Sequence, residues 1–171
     1  MRLILSIAVY ASAIVAANVM TASLGLVPVG FGLLVTAGTF AAGFALLARD
    51  FVQRHGGIPW SLASVALGGL LSWFLASPAL AVASTVAFVA AELVDLVIFT
   101  PLRKRSFTLA ALTSNVVSAP IDTALFLHLA GFGITWQALT GQFIGKTLWA
   151  TVVPLALYLI AKRAVLREPV N

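Results

Sequence analysis

Long apolar runs separated by short breaks dominate the chain, and their lengths predict helices rather than strands. A helix that crosses the hydrocarbon core needs about 20 predominantly apolar residues. Six such runs are legible, at about 3–20, 30–48, 58–76, 79–100, 107–130 and 139–161. The breaks carry turn chemistry. Gly25, Pro28 and Gly30 follow the first run, Ser77-Pro78 separates the third from the fourth, and Pro101 is expected to end the fourth. Pro59 stands where a first helical turn tolerates proline. The first run exceeds a signal-peptide core of about 7–15 residues, so it reads as a retained helix. The expected fold is all-α: a single transmembrane domain, 1–171, built as a bundle of six helices.

Composition supports this reading. Of 171 residues, 61% are hydrophobic and 9% charged, and the mean hydropathy is +1.10. A soluble domain carries about 25% charged residues, so too little polar surface exists here to face water all round. Cysteine is absent, which removes disulfides and thiolate chemistry. The net charge is +5, and the placement of the basic residues explains it. Arg2, Arg49, Arg54, Arg103, Lys104, Arg105, Lys162, Arg163 and Arg167 all fall at alternate ends of the six runs, hence on one side. The other connections have no Lys or Arg. The positive-inside rule makes that side the cytoplasm, with both termini there. The basic excess is therefore topology and contact with the lipid bilayer, not nucleic-acid binding.

Small residues recur every fourth position in Ala37, Ala41 and Ala45, and again in Ala79, Ala83, Ala87 and Ala91. This spacing lets helix backbones approach closely in lipid. It reads as packing within one bundle, with a homo-oligomer as the alternative.

The informative residues are polar ones inside the runs, because a charge at bilayer depth costs about 2.5–3.5 kcal/mol on insertion scales and marks a partner or a cavity. Thr85, Phe88, Glu92, Asp95 and Phe99 share one helical face, two acids bracketed by two rings. Asn115, Ser118, Asp122 and Phe126 form a second stripe, and Gln142, Lys146 and Trp149 a third. Asn18 comes from the first run, and Arg49-Asp50 closes the second as a snorkelling anchor with its partner. At about 1.5 Å per residue, Glu92 and Asn115 lie roughly 12 Å from the cytoplasmic side, whereas Asp122 and Lys146 both lie near 20 Å. Equal depth on consecutive antiparallel helices predicts an Asp122–Lys146 ion pair, either functional or a bundle staple. Pro120 frees the carbonyl of Val116 and marks either a substrate site or a packing kink. His55 and His128 have no metal-pair spacing, and no cofactor, P-loop or hydrolase motif is present.

The ordered polar set resembles the queuosine precursor transporters, a family also known as the putative vitamin uptake transporters. The resemblance rests on Ala17-Asn18, Arg49-Asp50-Phe51-Val52, the run from Glu92 through Asp95 to Phe99 with Pro101-Leu102-Arg103, Asp122-Thr123 with Leu125-Phe126, the small-residue end Ala130-Gly131-Phe132, and Lys146. It covers nearly the whole chain. This sequence departs from the family pattern in having Glu92 where Gln is frequent and Ser118-Ala119-Pro120 where Gly-Asn is frequent.

The resemblance implies a multi-pass protein of the bacterial inner membrane that takes up 7-deazaguanine bases such as preQ0 and preQ1, precursors of the tRNA nucleoside queuosine, without enzymatic turnover. Glu92 or Asp95 would read the guanine-like edge, since a carboxylate can accept an adjacent ring N–H and amino group together. Asn18, Asn115 and Gln142 would satisfy the remaining polar atoms, and Phe88, Phe99, Phe126 and Trp149 would stack. Asp122 and Lys146 would gate or orient. Two other readings stand beside this one. One is a substrate-binding subunit of an energy-coupling-factor vitamin transporter, contacting its partner through Ala8, Ser12 and Ala16. The other is an intramembrane enzyme using the acidic cluster.

Overall fold

A computed structural model describes residues 1–76, 80–131 and 133–167, with side chains as far as residue 161. Ser77-Pro78, Ala79 and Phe132 lie outside the described residues, as do the side chains of Lys162, Arg163 and Arg167. Helix dominates, in the order α1 (Arg2–Leu24), a β-hairpin of β1 (Leu26–Gly30) and β2 (Leu33–Thr36), α2 (Gly38–Leu75), α3 (Ala81–Leu102), α4 (Phe107–Leu129) and α5 (Trp136–Phe143). A π-helical segment (Ile144–Val152) then leads into α6 (Val153–Arg167). Among the described residues five helices are long and apolar enough to cross a membrane, counting α2 once and α5 to α6 as one.

The fold is all-helical as expected apart from this short hairpin, which corrects the expectation of a second span beginning near residue 30. Leu26 pairs with Thr36 and Val27 with Val35, and the register shifts between Pro28 and Gly30. The turn places Gly30, Phe31 and Gly32 at φ of 104°, 55° and 72°, so two glycines supply a left-handed bend that Phe31 must also adopt. Val29 and Val35 are buried inward while Leu26 and Leu34 face out. A short apolar segment without charges reads alike as strand or helix end, which is why hydropathy merges it with the next helix.

α2 is the second departure. Its 38 residues would extend about 57 Å as a straight rod, against a core of about 30 Å. Gly57 breaks it, at φ 80° and ψ −172°, with Pro59 starting the second half. The residues expected as a connection, Arg49 to Gly56, are helical instead. Pro101 likewise does not end α3, which continues through Leu102. α4 passes through Pro120, and the last helical stretch starts at Trp136 rather than near Leu139.

Small residues pack these helices closely. Ala83, Ala87, Ala91, Ala37 and Ala45 are buried, as their fourfold spacing predicts, and Ala41 is half-buried. One core cluster joins Tyr10, Ala13 and Ile14 of α1 to Ala45, Ala48 and Val52 of α2. A second joins Leu47, Phe99, Ala110, Ala111 and Leu155. Around them Leu5, Phe74, Val97, Leu157 and Ile160 are exposed, the apolar exterior that lipid requires.

Candidate functional site

Arg49 is the pivot of the interior. It occupies the middle of α2's first half with no exposed side-chain surface, which corrects its reading as a snorkelling anchor. Its Nε donates to Glu92 Oε2 at 2.9 Å and its Nη1 donates to Gln53 Oε1 at 3.0 Å. Nη1 also lies 3.2 Å from Asp50 Oδ1, and Nη2 is ion-paired to Asp95 Oδ2. Ser118 Oγ of α4 donates to Asp95 Oδ1 at 3.3 Å. Phe99 stacks under the guanidinium, 5.7 Å from ring centroid to carbon. The i,i+3 spacing of Glu92 and Asp95 does present both acids to one face, as the sequence predicts, and that face meets Arg49. Removing such charges from water is offset only when pairing and hydrogen bonds are dense, and the planar guanidinium supplies several donors at once.

Lys146 forms the second centre. Its Nζ donates to Asp122 Oδ2 at 2.6 Å and to Thr123 Oγ1 at 2.9 Å, so the ion pair anticipated from equal depth is present. Thr123 in turn donates to Gln142 Oε1 at 3.4 Å. Lys146 projects from the π-helical segment, where Thr151 Oγ1 also donates back to the Lys146 carbonyl at 2.9 Å. Pro154 follows immediately and has no N–H for the carbonyl of Ala150, so the helical ladder must change there. The absence of a side chain at Gly43 admits this segment: a Cβ there would lie 2.6 Å from Lys146 Cα and 2.8 Å from Ala150 Cβ.

Between the hairpin end of the bundle and these centres is a cavity of about 270 Å³. That is near the lower end of small-ligand pockets, about 300–1,000 Å³. Asn18 and Thr21 reach its wall from α1, Ser72 from α2, Asp122 from α4, and Gln142 and Lys146 from the last helical stretch. Phe88, Phe126, Leu46 and Ile14 supply apolar walls. An ionic pair with a few further amides and hydroxyls on a largely apolar lining is the usual make-up of a small-molecule site.

The structure thus brings six of the anticipated residues to one cavity: Asn18, Phe88, Asp122, Phe126, Gln142 and Lys146. It places the others elsewhere. Glu92 and Asp95 are sequestered by Arg49, and Phe99 lies in the second core cluster. Asn115 is 1% exposed, with its Nδ2 donating to the Ala111 carbonyl at 2.8 Å. Trp149 is 48% exposed and its Nε1 donates to the Val29 carbonyl at 3.1 Å, tying the hairpin to the π-helical segment. Sequence reasoning misses Tyr10, buried against Phe88 and beside Glu92. It also misses the bonding role of Thr123. A tyrosine in the first span is its own signal, because a phenolic hydroxyl at bilayer depth needs polar company. Among the described residues no group of three acids or histidines could hold a metal ion.

A lipid-facing helical bundle enclosing a small amphipathic cavity, with ion pairs held at depth, defines a multi-pass membrane protein built around a solute site. The family model described as "Putative vitamin uptake transporter" matches residues 4–160, and the chain belongs to that family. This agrees with the resemblance drawn from the polar set. No curated protein and no solved structure matches the chain.

Proposed function

We propose that the protein takes up queuosine precursors, 7-deazaguanine bases such as preQ0 and preQ1, through the cavity bounded by Lys146 and Asp122. The carrying observation is the pairing of that ionic pole with Phe88 and Phe126 on one wall system of about 270 Å³. Asp122 is the one carboxylate among the described residues on the wall, and its Oδ2 is committed to Lys146. Its second oxygen can accept a ring N–H or exocyclic amino group, while Gln142 and Asn18 offer amides to the carbonyl side. Glu92 and Asp95, beneath the floor, then contribute through Arg49 rather than by contact. A purified-protein binding screen against preQ0, preQ1, queuine and guanine tests this; tight binding of a 7-deazapurine is expected, and binding of none of them defeats it.

The same reading takes the two halves of α2 as separate crossings, six in all, with both termini in the cytoplasm of a bacterial inner membrane. Arg103 Nη1 donates to the Gln53 carbonyl at 2.7 Å, which sets the Gly57 break and the basic end of α3 side by side. One observation favours a second reading, the energy-coupling-factor subunit: Ala8 and Ser12 are exposed on α1, though Ala16 is half-buried. Copurification of ATPase subunits would support it, and uptake by the protein alone in liposomes would exclude it.

A further inference from the structure

The Arg49 cluster has a charge problem that pairing does not solve. Asp50, Glu92 and Asp95 surround one guanidinium, so with every group ionised the cluster would hold a formal charge of −2. All four side chains have no exposed surface. The other groups facing them do not supply the missing cations. From α1 comes the neutral Tyr10, from α2 Gln53, from α3 Phe99, and from α4 Ser118. Beyond them Arg103, at the end of α3, donates to the Gln53 carbonyl rather than to a carboxyl of the cluster, and Lys146 is committed to Asp122. A buried group relieves such an excess by binding a proton.

The bonding pattern says where. Glu92 Oε2 accepts Arg49 Nε, and Asp95 accepts Ser118 at one oxygen and faces Arg49 Nη2 with the other. Among the described residues none donates a hydrogen bond to either Asp50 oxygen, although Arg49 Nη1 lies 3.2 Å away. It is the least compensated carboxyl of the three. We infer that Asp50 holds an exchangeable proton and that the Arg49 cluster is the proton site coupled to solute movement. The inference deepens the uptake reading and rests on it. In each inward cycle one proton would enter with the solute on Asp50 and leave to cytoplasmic water, so charge and atoms balance without any other reactant.

Connection to both sides is built in. Toward the solute, Leu46 of α2 and Phe88 and Ala91 of α3 line the cavity, one turn or less from Arg49 and Glu92. Any shift of those walls on binding moves the cluster. Toward the cytoplasm, Arg49 bonds Gln53, and Gln53 Nε2 donates to Thr100 Oγ1 at 2.8 Å, a half-buried hydroxyl near the basic end of α3. This polar chain ties the cluster to the cytoplasmic end of the bundle; because neither the guanidinium nor the Gln53 amide can hand on a proton, its release is to water that reaches Asp50 when the cluster moves.

The test has two arms. Infrared spectra of the purified protein near pH 7 should show a protonated-carboxyl band that is lost in Asp50→Asn and kept in Asp50→Glu, with circular dichroism checking that each variant is folded. A band unchanged in folded Asp50→Asn, or absent from the wild type, overturns the assignment. In the second arm, wild-type proteoliposomes containing a trapped pH dye are given preQ0, which is uncharged and carries no proton of its own. Acidification of the lumen in step with preQ0 uptake is expected. Uptake without acidification overturns coupling while leaving the uptake reading intact. Failure of preQ0 counterflow removes the uptake reading and coupling together, and the infrared arm still decides whether Asp50 is protonated.

Discussion

Gly43 and Lys146 touch backbone to backbone: a Cβ on Gly43 would stand 2.6 Å from the lysine Cα and 2.9 Å from its carbonyl oxygen. Nothing flexible can yield there, because the atoms in the way are the Lys146 main chain and the Cβ of Ala150. The glycine therefore determines how near the π-helical segment comes to α2, and so where the ammonium is delivered to Asp122.

Gly43→Ala is expected to push that segment outward and weaken ligand binding about tenfold while the protein still inserts. Overpacking a close contact costs about 1–3 kcal/mol, which spans that factor. Binding of a 7-deazapurine to detergent-purified protein, measured beside thermal stability, checks it. Unchanged affinity and unchanged stability would mean that the contact does not position Lys146.

The Asp122–Lys146 pair predicts non-additive mutants. Removing one partner of a buried pair is destabilising by about 3–5 kcal/mol, because the other charge is left without a counter-ion. Lys146 is 3% exposed and Asp122 17%, so the lysine variant is expected at the lower end of that range, leaving a carboxylate that can reach some solvent. Lys146→Met should strand Asp122, and Asp122→Asn should strand Lys146, each lowering the melting temperature in detergent. Lys146→Met/Asp122→Leu should recover part of the loss without recovering ligand binding. A double variant as unstable as the sum of the singles would show that no pairing energy exists.

Arg49 offers a sharper contrast. Arg49→Ala leaves Glu92 and Asp95 buried without their donors, and the protein is expected to fail to accumulate in the membrane. Adding Glu92→Gln and Asp95→Asn to the same chain removes the stranded charges and should restore accumulation, judged by membrane yield and size-exclusion profile. Restoration by Arg49→Lys alone would argue against the guanidinium fork as the organising element, since an ammonium cannot serve several carboxyls in that geometry.

What the sequence discloses, and what it hides, follow from which signals are local. The Lys146–Asp122 pair is legible because depth along two antiparallel helices is simple arithmetic, and the buried alanines because their period is fixed by the helix. Arg49 misleads because it sits just before other basic residues, so the charge tally assigns it to a connection. Only the third dimension shows α3 turning Glu92 and Asp95 toward it. The hairpin is hidden by Leu26–Gly30 and Leu33–Thr36 being as apolar as a helix end, with Gly25, Pro28, Gly30 and Gly32 marking a break but not strands. The π-helical segment leaves no mark except Pro154, since a shift of hydrogen-bond partner by one residue barely changes the apolar pattern.

The number of crossings turns on Gly57, and the lack of cysteine makes it directly testable. Phe31, at the hairpin tip, is 81% exposed, Ile134, before α5, 52%, and Ile58, beside the break, 40%. If each half of α2 spans the bilayer, Ile58 lies on the opposite side from the other two. Single variants Phe31→Cys and Ile134→Cys are then expected to react with a membrane-impermeant maleimide on intact cells. Ile58→Cys should react only after permeabilisation. Equal labelling of Ile58→Cys and Phe31→Cys from outside would place the break on the outer face. The two halves of α2 could not then be successive crossings, because a chain that leaves the outer hairpin and spans once must emerge inside. The basic residues Arg54 and Arg103 to Arg105, which cluster at that break, predict the inner location on independent electrostatic grounds.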